Sequence, residues 1–178
     1  VIGHSEGSLI GMVAANEQPA TSFVSLAGAG RPLDEVLLEQ LTVQLPGNLL
    51  VESRDILVQL KEGNLVAQVS PELASIFRPS VQPYLISWLA YDPQKELAKL
   101  DMPILVIGGT TDLQVPLEDA ELLKAAHEKA ELLIIENMNH VLKTATAVPE
   151  ENMATYSNPD LPLADGLIDG MVEFLLKK

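Results

Sequence analysis

Cysteine is absent from this 178-residue chain, which excludes a disulfide framework, a thiolate zinc site and a cysteine nucleophile. Basic residues are scarce, with 11 lysines and arginines against 25 aspartates and glutamates and a formal net charge of -14. Such a surface repels phosphate backbones and anionic lipid, and no Lys/Arg cluster relieves it locally, so nucleic acid is not an expected partner. The acidity names no substrate, because a solvated negative surface is its ordinary cause and solubility its consequence. No apolar run reaches the roughly 20 residues of a membrane span. The start lacks the basic and apolar regions of a signal peptide. Methionine is also missing from position 1, where Val1 stands only two residues ahead of the first motif. The expectation is a chain whose upstream part has been removed.

What is present fits a folded globular chain: 47% hydrophobic residues, 20% charged residues and 12 prolines spread along the length. The size allows one ordinary domain or a large part of one. Residues 8–15 are mostly apolar and read as a helix that Asn16 and Pro19 end. Residues 21–27 alternate and end at Gly28, which reads as a strand. Apolar residues then recur at helical spacing in residues 33–45, 49–60, 72–77, 81–89 and 93–100, punctuated by Pro46, Gly47, Gly63, Pro71, Pro79 and Pro93. This pattern predicts a helical insert.

The continuous apolar run at residues 102–109 predicts a strand buried on both faces. A helix over 117–128, a strand over 131–136 and a helix over 163–176 follow, with residues 144–162 expected to be a long surface loop. Strand alternating with helix at this spacing is the mark of an α/β fold with a parallel sheet and helical crossovers. Three stretches result: residues 1–31, with an elbow, helix and strand; residues 32–100, the helical insert; and residues 101–178, the return to the sheet.

Gly3-His4-Ser5-Glu6-Gly7 matches the G-x-S-x-G nucleophile elbow, in which a tight strand-to-helix turn lifts a serine hydroxyl into the open. Both glycines are expected where a Cβ would not fit. A serine needs an imidazole to take its proton, and the imidazole needs a carboxylate to fix its tautomer. Of three histidines, His4 is within the elbow and directed away from the serine, and His127 ends a helix, where a cation suits the last carbonyls. His140 follows a predicted strand across a short turn, at the sheet edge where open α/β folds place their sites. Asp112 lies just beyond the strand before it, although a turn or helix cap would explain an aspartate there equally well. Ser5, Asp112 and His140 stand in the chain order of an α/β-hydrolase triad, which favours the catalytic reading of all three.

The elbow, the acid segment Gly109-Thr110-Thr111-Asp112-Leu113-Gln114-Val115-Pro116 and the histidine segment Asn137-Met138-Asn139-His140-Val141-Leu142-Lys143 together resemble the α/β-hydrolase superfamily, within it the serine esterase and S33-type serine aminopeptidase-like group. The resemblance covers the whole chain but only the carboxyl-terminal half of the family's domain. It implies Ser5 as nucleophile, His140 as general base and then acid, Asp112 as its orienter, and the backbone N–H of Glu6 as an oxyanion-hole donor. It implies no metal and no organic cofactor. The family's early strands and the loop giving a second oxyanion donor are not in this sequence, so weak or no turnover is expected of the chain alone. A sheet edge normally covered by those strands would pair with a missing amino-terminal segment or a second copy of the chain.

The insert occupies the place of a cap in such enzymes. Leu37, Leu41, Ile56, Leu57, Phe77, Tyr84, Leu85 and Trp88 are pocket candidates, though most are expected to form the cap's own core. Tyr84 and Trp88 stand four apart on one helix face and are the preferred substrate contacts. The expected substrate is a small carboxylic ester, or a peptide-like molecule if the activity is that of an aminopeptidase or amidase. The second reading needs an anionic site for an ammonium group, for which Glu52, Glu62 and Glu72 are candidates. A non-catalytic binding protein on the same scaffold is the reading from a different class; the presence of all three triad residue types speaks against it.

Overall fold

The computed structural model describes every residue except Pro19 and Lys178, and divides into two compact units. One comprises residues 1–30 and the chain from 93 onward; the other is residues 31–92.

The first unit is built on four parallel strands in sequential order, β1 (Ile2–His4), β2 (Phe23–Leu26), β3 (Ile104–Gly109) and β4 (Glu131–Ile135). Every residue of β2 and β3 is buried, as their unbroken apolar character requires of central strands. Their alternating side chains feed two cores. Phe23 is paired in register with Ile104, and its ring lies against α1 (Glu6–Glu17). Val24, Leu26, Leu105 and Ile107 point the other way, into a cluster with Ala164, Leu167 and Phe174. Leu167 and Phe174 belong to the last helix, α9 (Leu167–Leu176). Helix α7 (Leu117–Ala126) packs on β3, and α6 (Pro93–Leu97) packs on both α1 and α7. The helix expected at residues 8–15 is thus longer, and Pro19, expected to end it, lies outside the described residues.

The second unit contains α2 (Leu33–Gln44), α3 (Gly47–Lys61), a 3-10 turn at Pro71–Leu73 running into α4 (Ala74–Phe77), and α5 (Gln82–Leu89). Leu41, Ile56, Leu57, Leu60, Leu73, Phe77, Leu85 and Leu89 form its core. Two polar side chains hold the irregular residues 62–70 to it. Gln82, fully buried, accepts from the Val66 N–H and donates to the carbonyls of Val66 and Phe77. Glu52 accepts from both the N–H and the hydroxyl of Ser70 (2.8 and 2.6 Å), and those bonds hold its carboxyl below the usual range.

Three expectations about organisation are revised. Residues 93–100, read as the end of the insert, fall in the sheet unit, where Leu97 and Leu100 are buried. Pro71 and Pro93 open helical turns instead of separating them, since the first turn has no use for the N–H that proline lacks. The stretch 144–162 contains α8 (Pro149–Ala154), and it is tied back by antiparallel bridges from Met138 to Thr144 and from Lys143 to Leu163.

The insert leaves and re-enters the sheet unit through a pinned neck. Gln94 donates from Nε2 to the Gly30 carbonyl at 2.8 Å, while the Gly30 N–H donates to Oδ1 of the buried Asp119 at 2.9 Å.

Candidate active site

Parallel strands end on one edge, so residues that follow β1, β3 and β4 are delivered to the same place. Ser5 follows β1 directly. Its backbone sits at φ 55°, ψ -123°, a conformation sparsely used by side-chain-bearing residues, and its N–H donates to the Leu26 carbonyl. The tightness is genuine at Gly3, where a Cβ would stand 2.1 Å from the Gly7 carbonyl oxygen. It is not found at Gly7, where a Cβ would meet nothing within 4 Å. The expectation that both glycines are sterically required is therefore corrected to one.

His140 is 6% and Asp112 7% exposed. The imidazole Nδ1 lies 2.8 Å from Asp112 Oδ2 and Nε2 lies 2.9 Å from Ser5 Oγ. A carboxylate only accepts, so Nδ1 carries the proton and Nε2 is left to accept from the serine hydroxyl. The other carboxylate oxygen, Asp112 Oδ1, accepts the backbone N–H groups of Gln114 and Val115 at 2.8 and 2.9 Å. Asp112 thus satisfies the turn reading with one oxygen and faces the imidazole with the other. The two loops approach closely because Gly109 has no Cβ: one there would stand 2.0 Å from the Met138 carbonyl oxygen.

Helix α1 begins at Glu6, whose N–H is one of the donors without an intrahelical partner. Burial pushes the Glu6 carboxyl above its ordinary value. His4 does not approach Ser5; its Nε2 donates to the His140 carbonyl at 2.7 Å and its ring centre is 5.1 Å from that of His140. His127 donates from Nε2 to the Leu100 carbonyl, tying the end of α7 to that loop rather than bonding the helix's own last carbonyls with its ring.

Some neighbours of the site were not singled out from sequence. Tyr156 accepts from Gln114 Nε2 at 3.0 Å, and its hydroxyl is pushed up by burial, with the nearby Asp112 charge adding to the effect. Asn139 and Asn152 are fully buried behind the histidine. An asparagine immediately before His140 was a readable signal for a fixed turn; nothing in the sequence marked Asn152. In the second unit, the rings of Tyr84 and Trp88 meet edge to face at 5.7 Å, with Tyr84 45% exposed. Leu41, Ile56, Leu57, Phe77 and Leu85 are core residues of that unit, as the plainer of their two readings had it.

No family model matches the chain. The esterase EstD of Thermotoga maritima is 30% identical over 149 residues, which is 80% of this chain and 34% of the esterase. The chain therefore spans about a third of that relative's length. Among solved structures, Rv0554 of Mycobacterium tuberculosis superposes with a TM-score of 0.52 at 19% identity, over 98% of this chain and 64% of the other. BpoC of Mycobacterium tuberculosis H37Rv gives 0.51 at 20% identity, over 98% and 65%. BpoC has the α/β-hydrolase fold. The chain is part of an α/β-hydrolase fold. Within this fold, the segments that follow β1, β3 and β4 carry the cluster of Ser5, Asp112 and His140.

Proposed function

We propose that the protein is a serine hydrolase of carboxylic esters acting through an acyl-enzyme. The observation that carries the reading is the imidazole of His140, with one nitrogen 2.8 Å from a carboxylate and the other 2.9 Å from a serine hydroxyl at a strained turn. The Ser5 oxygen attacks the ester carbonyl while its proton passes to His140 Nε2. The carbonyl π pair moves to oxygen, and the Glu6 N–H donates to that oxyanion. When the tetrahedral adduct collapses, the C–O bond to the alcohol breaks and His140 returns the proton to the departing oxygen. Water then attacks the acyl-enzyme as His140 takes its proton, and a second collapse releases the acid and restores Ser5. Asp112 holds the proton on Nδ1 and stabilises the transient imidazolium. The steps use no metal or organic cofactor. Similarity to the esterase EstD supports an ester as substrate. Tyr84 and Trp88 are proposed as substrate contacts, so alanine at either should change acyl-chain preference while leaving Ser5 reactive.

An aminopeptidase or amidase would use the same machinery. Two of its three candidate ammonium sites are engaged elsewhere: Glu52 by Ser70, and Glu62 by Asn64 Nδ2 at 3.3 Å. In a form that also carries the second oxyanion donor, turnover of a nitrophenyl acetate against an aminoacyl anilide separates the two activities. Fluorophosphonate labelling separates both from a non-catalytic scaffold. The parent chain should label at Ser5 and Ser5→Ala should not, with little change in thermal midpoint, because one half-buried hydroxyl bond contributes only about 1 kcal/mol. A parent chain that takes no label would overturn the hydrolase reading.

A further inference from the structure

The acid and histidine loops come from different strands, and their alignment depends on something outside both. Helix α8 supplies a side chain that reaches each. Asn152, with no exposed surface, donates from Nδ2 to the carbonyl of Thr111, the residue before Asp112, at 2.9 Å. The same amide nitrogen donates to the Thr146 carbonyl at 2.7 Å. Its Oδ1 accepts from Nδ2 of Asn139, the residue before His140, at 3.3 Å. Asn139, equally buried, also donates to Thr155 Oγ1 at 2.6 Å and accepts the Lys143 N–H at 3.0 Å. Thr155 closes the circuit by donating its hydroxyl to the Asn152 carbonyl at 2.7 Å. Only a planar amide has donors on one side and an acceptor on the other, so neither aspartate nor leucine can make this set of bonds.

We infer that Asn152 is a positioning residue: with Asn139 and Thr155 it clamps the Asp112 loop to the His140 loop and so sets the hydrogen bond between carboxylate and imidazole. The inference rests on the triad reading above, but it concerns a different contact. Asn152 touches no reacting atom and acts through the backbone on either side. A displacement of about 1 Å in a catalytic pair can cost about 100-fold in rate, which is the scale on which loss of the clamp should be felt.

Two readouts on the full chain test it. The first is the low-field NMR signal of the His140 Nδ1 proton shared with Asp112, together with its rate of exchange with water. The second is the rate of fluorophosphonate labelling of Ser5. Asn152→Asp and Asn152→Ala should broaden or abolish the proton signal and slow labelling about 10- to 100-fold. Should those variants not fold, Thr155→Val removes only the hydroxyl, with its bonds to Asn139 and to the Asn152 carbonyl, and should slow labelling several-fold, and Thr155→Ser should restore both readouts. An unaltered proton signal in Asn152→Ala or Thr155→Val overturns the clamp, as does absence of that signal from the parent chain. A parent that shows the proton, loses it in Asn152→Ala and takes no label at Ser5 counts against the hydrolase reading and supports the clamp.

Discussion

The elbow motif treats its two glycines alike, whereas the structure separates them, and the paired substitutions Gly3→Ala and Gly7→Ala turn that into a measurement. At Gly3 an added Cβ would stand 2.1 Å from the Gly7 oxygen, 2.6 Å from the Gly7 carbonyl carbon and 2.8 Å from the Ser8 Cα. All three are backbone atoms, which cannot rotate aside. Ordinary contact begins near 3.4 Å, so β1 and the first turn of α1 must part by about 1.3 Å. Overpacking of this kind costs about 1–3 kcal/mol, and the absence of any flexible neighbour places Gly3→Ala near 3. For a chain of this size that is a fall in thermal midpoint of roughly 6–12 °C. Because Ser5 lies between the parting elements, its labelling by fluorophosphonate should slow by about 100-fold or more. Gly7→Ala meets open space inside a helix and should gain about 0.5–1 kcal/mol, a rise of roughly 1–4 °C. Thermal unfolding followed by circular dichroism, with labelling kinetics on the same samples, reads both effects. Equal losses in the two variants, or a Gly3→Ala protein that labels at the parent rate, would refute the steric account of the elbow.

Asp112→Asn should keep the fold, since its amide oxygen can still accept from Gln114 and Val115, but slow labelling roughly 10⁴-fold. An amide N–H facing Nδ1 forces the proton onto Nε2, and retained labelling would show that the carboxylate is only a turn residue. Glu52 has its carboxyl held low chiefly by the Ser70 hydroxyl and then by the Ser70 N–H. Its contribution to stability is thus complete above its ordinary value of 4.5 and lost as pH falls through the lower, folded one. The midpoint difference between the parent and Glu52→Gln should be largest at neutral pH and shrink as pH falls through 4.5 and below; a difference that grows on acidification would contradict this. Strand β1 pairs only with β2 among the described residues, and Val1 and Ile2 are each 50% exposed beside it. Light scattering should find species larger than a monomer, and Ile2→Lys should reduce them; a monomeric parent would refute pairing through this edge.

The parts of the fold legible in the sequence were those written in apolar residues. The run Ile104-Leu105-Val106-Ile107 could only be a strand buried on both faces, and once three strands were parallel, Ser5, Asp112 and His140 had to emerge on one edge. What apolar periodicity cannot say is which core a helix joins: Leu97 and Leu100 have the same spacing whether they pack with the insert or with α1 and α7. Helix α8 was invisible for a related reason. It has six residues, and the one that is fully buried is an asparagine, so no pattern marks it. The second glycine of the elbow misled because the motif records a shape, while the space around a given atom depends on residues far away in the chain.

The neck formed by Gly30, Gln94 and Asp119 has a bearing on how such proteins diversify. Since Gly30 and Gln94, which flank residues 31–92, are bonded to each other within the sheet unit, the residues between them form a closed loop. Lengthening a loop whose ends are already held costs little, because closure entropy grows only with the logarithm of length. Recombination or design could therefore exchange the whole helical insert for another of different size, cutting at Gly30 and Pro93, and leave the strand register untouched.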